Sequence, residues 1–198
     1  MKTTMTLAMV MFGVLMGGAA LVPVAAQPVD VQPAPPPDRR CTLSAGGQVI
    51  DYGHLSRWQL QQASNSQNLT LGKRELMLNV FCPFSQTMTF RLLGDRAANG
   101  ELAYGHHGSL GFRVLEAQVD GRAVQLTLVT PGGITQGVAA WDVKLLAGQS
   151  FTASQNGQLV QGKSFNARIE VEPTLPEVSA RVSGRQSAES NLTIELMD

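Results

Sequence analysis

The stretch CTLSAGGQVIDYG, residues 41–53, opens on one of only two cysteines in the chain. The other, Cys82, closes the run RELMLNVFC at 74–82. In that run every second residue is apolar, which is typical of a β-strand with one buried face. The residues that share this face are Leu76, Leu78, Val80 and Cys82. Cys41 therefore stands at the start of the first predicted strand, and Cys82 stands at the end of a hydrophobic one.

The same alternation runs through most of the chain beyond Cys82. Asp120-Gly121 separates two alternating runs and favours a type I′ hairpin turn. The segment LSRWQLQQA at 55–63 is the only hint of helix, and we interpret it as a loop or a single turn. Seven or more short strands with regular turn signals predict an antiparallel β-sandwich. The further predicted apolar faces are Met88, Phe90 and Leu92; Val124, Leu126 and Leu128; Trp141, Val143 and Leu145; Phe165, Ala167, Ile169 and Val171; and Leu192, Ile194 and Leu196.

The N-terminus predicts export. Lys2 precedes a long apolar run, and Val24 and Ala26 form a small-residue cleavage site, so residues 1–26 are interpreted as a signal peptide. An uncleaved membrane anchor is the alternative. Export to an oxidising compartment predicts a disulfide between Cys41 and Cys82, with two free buried thiols as the alternative.

Residues 27–40, QPVDVQPAPPPDRR, form a proline-rich extension. Its prolines exclude a helix and disfavour the interior of a sheet. Val29 and Val31 alternate, which is a short strand-like signal. The remaining residues, 41–198, are predicted to be one sandwich domain.

Charge and motifs exclude several classes of function. The chain has 15 basic and 15 acidic residues, so it lacks the cationic excess that nucleic-acid binding needs. Asp51, His54 and Ser56 have the residue types of a hydrolase triad, but they lie too close together along the chain to surround one substrate atom. His106-His107 matches no metal-ligand spacing, and Asp95 and Glu101 near it do not complete one. We therefore predict no enzymatic activity, no catalytic residue, no metal and no cofactor.

CTLSAGGQVIDYG resembles the pattern C-T-x-S-x-x-G-x-V-x-D-Y-G of the subunits of chaperone–usher fimbriae in Gram-negative bacteria. The similarity is greatest to a pilin-like family known only as a domain of unknown function. LMLNVFC (76–82) is similar to the strand that carries the second cysteine of that family, and LLGDRAANG (92–100) to the strand and turn after it. The resemblance covers most of residues 41–198.

The resemblance implies an immunoglobulin-like sandwich that lacks one strand. A periplasmic chaperone would fill the resulting groove, and the N-terminal extension of another subunit would later replace it, with an outer-membrane usher as a further partner. Val29 and Val31 would then be donor-strand residues. The strand that pairs with the chaperone would present Leu192, Ile194 and Leu196.

Two features depart from that family. Prolines follow Val31 where a donor strand would continue, and Met197 stands where an aromatic residue is usual. The function expected from the sequence is a structural or minor subunit of a surface fimbria that contributes to adhesion. The alternative is a self-contained periplasmic or secreted binding module that does not polymerise.

Overall fold

The structure is a computed structural model that describes residues 40–47, 49–63, 68–130, 132–181 and 184–197. The predicted signal peptide, residues 1–26, lies outside these residues, and so do Val29 and Val31 of the extension. One compact unit runs from Pro37 to Asp198. In the described ranges, no helix is long and apolar enough to cross a bilayer.

Fifteen strands and two single 3-10 turns form the described part of this unit. The 3-10 turns are Arg57–Gln59 and Glu177–Ala180. The first eight strands are β1 (Thr42–Ala45), β2 (Gln61–Gln62), β3 (Asn68–Thr70), β4 (Arg74–Thr87), β5 (Thr89–Gly94), β6 (Leu102–Tyr104), β7 (Gly108–Val119) and β8 (Arg122–Ala123). The other seven are β9 (Gln125–Val129), β10 (Thr135–Ala140), β11 (Asp142–Leu145), β12 (Ser150–Gln155), β13 (Gln158–Leu159), β14 (Gln161–Pro176) and β15 (Leu192–Met197).

The strands form two antiparallel sheets. The larger sheet is organised around β14, which pairs with β4 and β3 along one edge and with β7 along the other. β1 pairs with β4 and β2 pairs with β3, while β6, β8 and β11 pair with β7. The smaller sheet has the order β10-β9-β12-β5-β15, and β13 pairs with β12. The predicted antiparallel β-sandwich is confirmed.

The core lies between the two sheets and is built from the alternating residues of the sequence. Phe90 of β5 and Phe151 of β12 come from the smaller sheet, and Phe165 of β14 comes from the larger one. All three are fully buried, and the ring centroid of Phe90 lies 5.1 Å from that of Phe151 and 4.6 Å from that of Phe165. These contacts join the two sheets because each strand turns every second side chain inward.

The chain crosses between the sheets on both sides of the sandwich. On one side, β4 of the larger sheet continues into β5 of the smaller sheet with only Met88 between them. On the other side, β10 leads into β11 through Trp141. The prediction that Trp141 shares the buried face of Leu145 is wrong, since Trp141 is 61% exposed. It lies in the crossover before β11 begins, where the alternation of the strand does not apply.

The predicted turns are present. Asp120 and Gly121 have φ angles of 49° and 75°, which the type I′ turn between β7 and β8 requires at both positions. The Asp120 carboxylate also accepts hydrogen bonds from the N–H groups of Lys163 and Ser164 of β14, at 3.0 and 2.8 Å. The segment 55–63 contains one 3-10 turn, as predicted.

Candidate functional site

The smaller sheet ends in an edge strand that is paired on one edge only. β15 pairs with β5 from Leu192↔Gly94 to Met197↔Thr89. Among the strands that the structure describes, none pairs with the other edge of β15. Such an edge exposes a row of backbone donors and acceptors to which a further strand can bind.

The side chains of β15 divide between the core and the solvent. Leu192, Ile194 and Leu196 are half-buried and pack against the core, whereas Thr193 and Glu195 are exposed. The structure thus brings together on one face the three residues that sequence analysis predicted for partner pairing. They are less buried than the core residues further inside.

The hydrogen bonds of β5 reveal which backbone groups of β15 are free. The Leu92 N–H donates to the Gln149 carbonyl at 3.0 Å, toward β12. Because successive residues of a strand direct their backbone groups to opposite edges, Arg91 must face β15, where its register partner is Glu195. The backbone groups that point to the unpaired edge therefore belong to Leu192, Ile194 and Leu196.

The edge strand β1 of the larger sheet lies on the same side of the sandwich. It pairs with β4 from Thr42↔Phe81 to Ala45↔Leu78, and its Leu43 packs against the core. Because β4 passes directly into β5, the outer neighbours of these two strands, β1 and β15, flank one side of the molecule. No described strand pairs with the outer edge of β1 or of β15, and we call this side the open side.

The disulfide secures the larger-sheet border of the open side. Cys41 and Cys82 are bonded, which confirms the predicted pairing, and their Cα atoms are 4.2 Å apart. The side-chain amide of Gln86 contacts both sulfur atoms, at 2.7 and 3.3 Å. The bond fixes the start of β1 to the middle of β4, which continues to Thr87 before the chain crosses to the smaller sheet.

The other residues considered for chemistry are used in local structure. Asp51 accepts a hydrogen bond from the Gly53 N–H at 2.7 Å, and Ser56 caps the 3-10 turn at Arg57–Gln59. His106 and His107 are exposed, with ring centroids 6.3 Å apart. Within the described ranges, no group of three or more His, Cys, Asp or Glu side chains could hold a metal ion.

Glu101 is a buried carboxylate whose environment the sequence does not reveal. It is only 8% exposed. It accepts hydrogen bonds from Asn99 at 2.8 Å and from Ser109 at 2.6 Å, and it forms an ion pair with Lys144 at 2.5 Å. Burial acts to raise the pKa of Glu101, but the hydrogen bonds from Lys144, Ser109 and Asn99 together outweigh it and the pKa is lowered. Of the three partners, only Asn99 lies close to Glu101 in the sequence, two residues before it. The sequence therefore carries little indication that Glu101 is buried in a hydrogen-bonded network.

Glu101→Gln is expected to reduce stability in a pH-dependent way. A lowered pKa means that the charged carboxylate stabilises the fold above its ordinary pKa, 4.5, and that this contribution is lost as the pH falls through the folded-state value. Loss of the charged acceptor should lower the free energy of unfolding by about 1–3 kcal/mol at neutral pH. Urea unfolding of the variant and of the unmodified chain at pH 7 and in acid measures this difference in free energy. The exposed Glu189→Gln serves as the control. A deficit in Glu101→Gln that stays the same in acid would contradict the assignment.

Comparison with known proteins finds similarity to solved structures. The P pilus rod subunit PapA is similar to this chain with 17% sequence identity and a TM-score of 0.33, over 79% of this chain and 99% of that one. No family model and no curated protein matches the chain. Because the TM-score is this low, the similarity carries no argument about function. The function is inferred from the open side instead.

Proposed function

We propose that the chain is a structural or minor subunit of a chaperone–usher surface fimbria. It would be exported through the inner membrane, held in the periplasm by a chaperone and passed to an outer-membrane usher. The observation that carries the proposal is the free edge of β15, where Leu192, Ile194 and Leu196 combine half-buried side chains with unpaired backbone groups. The resemblance of residues 41–53 to fimbrial subunits supports it.

The proposed activity is strand addition. A strand laid along β15 would gain main-chain hydrogen bonds from the three free residues, and its alternate side chains would cover their half-buried faces. The first donor would be the chaperone and the second would be the extension of another subunit. Antiparallel pairing adds one residue for each residue of β15, so the six positions Leu192–Met197 set the length of the ladder.

Hydrogen exchange at β15 tests the proposal. In the isolated mature chain, the amides of Leu192, Ile194 and Leu196 should exchange rapidly, whereas Thr193 and Glu195 should be protected by β5. Binding of the chaperone should slow exchange at the first three and leave the other two unchanged. Protection of all five amides in the free monomer would instead support the alternative, a self-contained sandwich that does not polymerise.

The proline-rich extension is expected to be a poor donor. A synthetic peptide of residues 27–40 offers Val29 and Val31 as alternating side chains, each contributing roughly 1.5–3 kcal/mol if fully buried. The prolines after Val31 each remove an N–H that the ladder needs. Mixing the peptide with chaperone-bound subunit should therefore release the chaperone slowly and incompletely, as expected of a terminal or minor subunit. Fast and complete release would show that the prolines do not hinder donation and would favour a major-subunit role.

A further inference from the structure

The outer face of the larger sheet contains a cleft of about 430 Å³ over the ladder between β7 and β14. Gly111 of β7 forms the floor of the cleft, and its register partner on β14 is Glu172. Side chains at positions 109, 111 and 113 of β7 point to this outer face, because Leu110, Phe112 and Val114 point into the core. Gly111 contributes no side chain, so the sheet is indented at that position between two polar neighbours.

The walls of the cleft carry both signs of charge, and most of the charges are already paired. Lys73 pairs with Glu170 at 3.0 Å, and Lys144 pairs with the buried Glu101. A third cation, Arg113, pairs with Asp142 at 2.9 Å. The residues of the cleft that carry charge are Lys73, Glu101, Arg113, Lys144, Glu170 and Glu172.

Glu172 differs from the other carboxylates of the cleft. Its side chain forms no hydrogen bond or ion pair within the described ranges; besides burial, its charge contributes to raising the pKa of the nearby Tyr52. Glu172 is half-buried and stands opposite the glycine floor, so its carboxylate is an acceptor available to a ligand. The opposite wall supplies Oδ1 of Asn99, which accepts from the Glu101 N–H and keeps a second lone pair, while the Asn99 amide N–H groups donate to Glu101 and Ser109.

The chemistry of the walls selects the class of ligand. No group of His, Cys, Asp and Glu side chains in the described part of the chain could hold a metal ion, which disfavours a bare cation. The cations are each bonded to a carboxylate, which disfavours an anion. Hydroxyl groups both donate and accept, so a neutral polyhydroxylated ligand can bond to carboxylate, ammonium and amide groups without separating any ion pair. The volume lies within the range of small-ligand pockets.

We propose that this cleft is a binding site for a neutral carbohydrate, with the ligand seated on Gly111 and a ligand hydroxyl donating to Glu172. The site is independent of the strand addition proposed above, because it lies on the outer face of the larger sheet and the free edges of β1 and β15 take no part in it. The ligand would remain able to bind when a strand occupies the open side.

Two variants of the mature full-length chain test the site. Gly111→Ala adds a methyl group to the floor, 3.5 Å from the Glu172 carbonyl and 3.9 Å from a Glu101 carboxylate oxygen, which is ordinary contact that the fold accepts. Gly46→Ala is the matched control, because its methyl group meets Met77 backbone atoms at 3.6 and 3.7 Å outside the cleft. Glu172→Gln removes the free carboxylate and retains its shape.

The probes are a panel of neutral hexoses, pentoses, N-acetylhexosamines and their disaccharides, with sialyllactose as an anionic comparison. Binding is followed by the shift of the backbone amide resonance of residue 111, glycine or alanine, on titration. At least one neutral sugar should shift this resonance, and its affinity should fall about tenfold in Glu172→Gln and at least as much in Gly111→Ala, with no change in Gly46→Ala. The proposal is overturned if no neutral sugar shifts the resonance, if only sialyllactose does, or if Gly111→Ala binds as tightly as Gly46→Ala.

Discussion

Reduction of the disulfide is expected to lower the free energy of unfolding by about 4 kcal/mol. Cys41 and Cys82 are 41 positions apart, and closing a loop of that length removes a large part of the conformational freedom of the unfolded chain. Total stabilities of single domains are roughly 5–15 kcal/mol, so the bond accounts for a large share. The effect should be greatest at β1, which has four residues and pairs with β4 alone among the described strands.

Urea unfolding of the oxidised and reduced chain measures this difference on one sequence. Cys41→Ala/Cys82→Ala is the control, since its unfolding should not respond to a reductant. Mass spectrometry of non-reduced peptides establishes the bond in periplasmic material. Equal unfolding midpoints with and without reductant would show that β1 is held by its strand pairing alone, and free thiols at both positions would exclude the bond itself.

Ile194→Asp is expected to abolish binding of a chaperone strand to β15. Ile194 is the central residue of the inward face, and it is already half-buried before any partner binds. A strand added to the free edge would cover it further, so the aspartate would be buried without a counter-ion. The cost of burying an unpaired carboxylate exceeds what a few main-chain hydrogen bonds supply. The loss of binding is measured by whether the variant still co-purifies with the proposed chaperone.

Thr193→Asp is the matched control for that experiment. It introduces the same charge one residue earlier, where the side chain is exposed and the backbone groups pair with β5. Binding should persist in this variant because the carboxylate stays in water. If both variants co-purify equally well, the chaperone does not bind along β15, and if both fail, the effect is one of folding and not of the inward face.

Much of the fold can be predicted because strands with one buried face repeat every two residues. Leu78, Val80, Phe90 and Ile169 are buried as their alternation indicates. Such patterns carry no information about which strands are neighbours, so the position of β14 between β4 and β7 could not be predicted. The direct passage of β4 into β5 could not be predicted either, because Pro83 and Ser85 stand between the two alternating runs and favour a turn there.

The candidate sites were predictable to different degrees. Leu192, Ile194 and Leu196 form one local pattern, and their shared face could be inferred from it. That the other edge of β15 is unpaired depends on every other strand in the sheet. The carbohydrate cleft depends on residues such as Glu101 and Glu172 that only the fold brings together. Its local signal is Gly111, a residue without a side chain in the alternating stretch from Leu110 to Val114.

If the chain assembles as proposed, the passage of β4 into β5 determines how the fibre would resist pulling. Tension entering along a strand bound to β15 would pass through its hydrogen bonds with β5. From β5 it would follow one extended stretch of backbone across Met88 into β4 and reach Cys82. There it would cross the sulfur–sulfur bond to Cys41, the residue that directly follows the extension. The four-residue ladder of β1 would be bypassed, so the subunit would transmit force without separating β1 from β4.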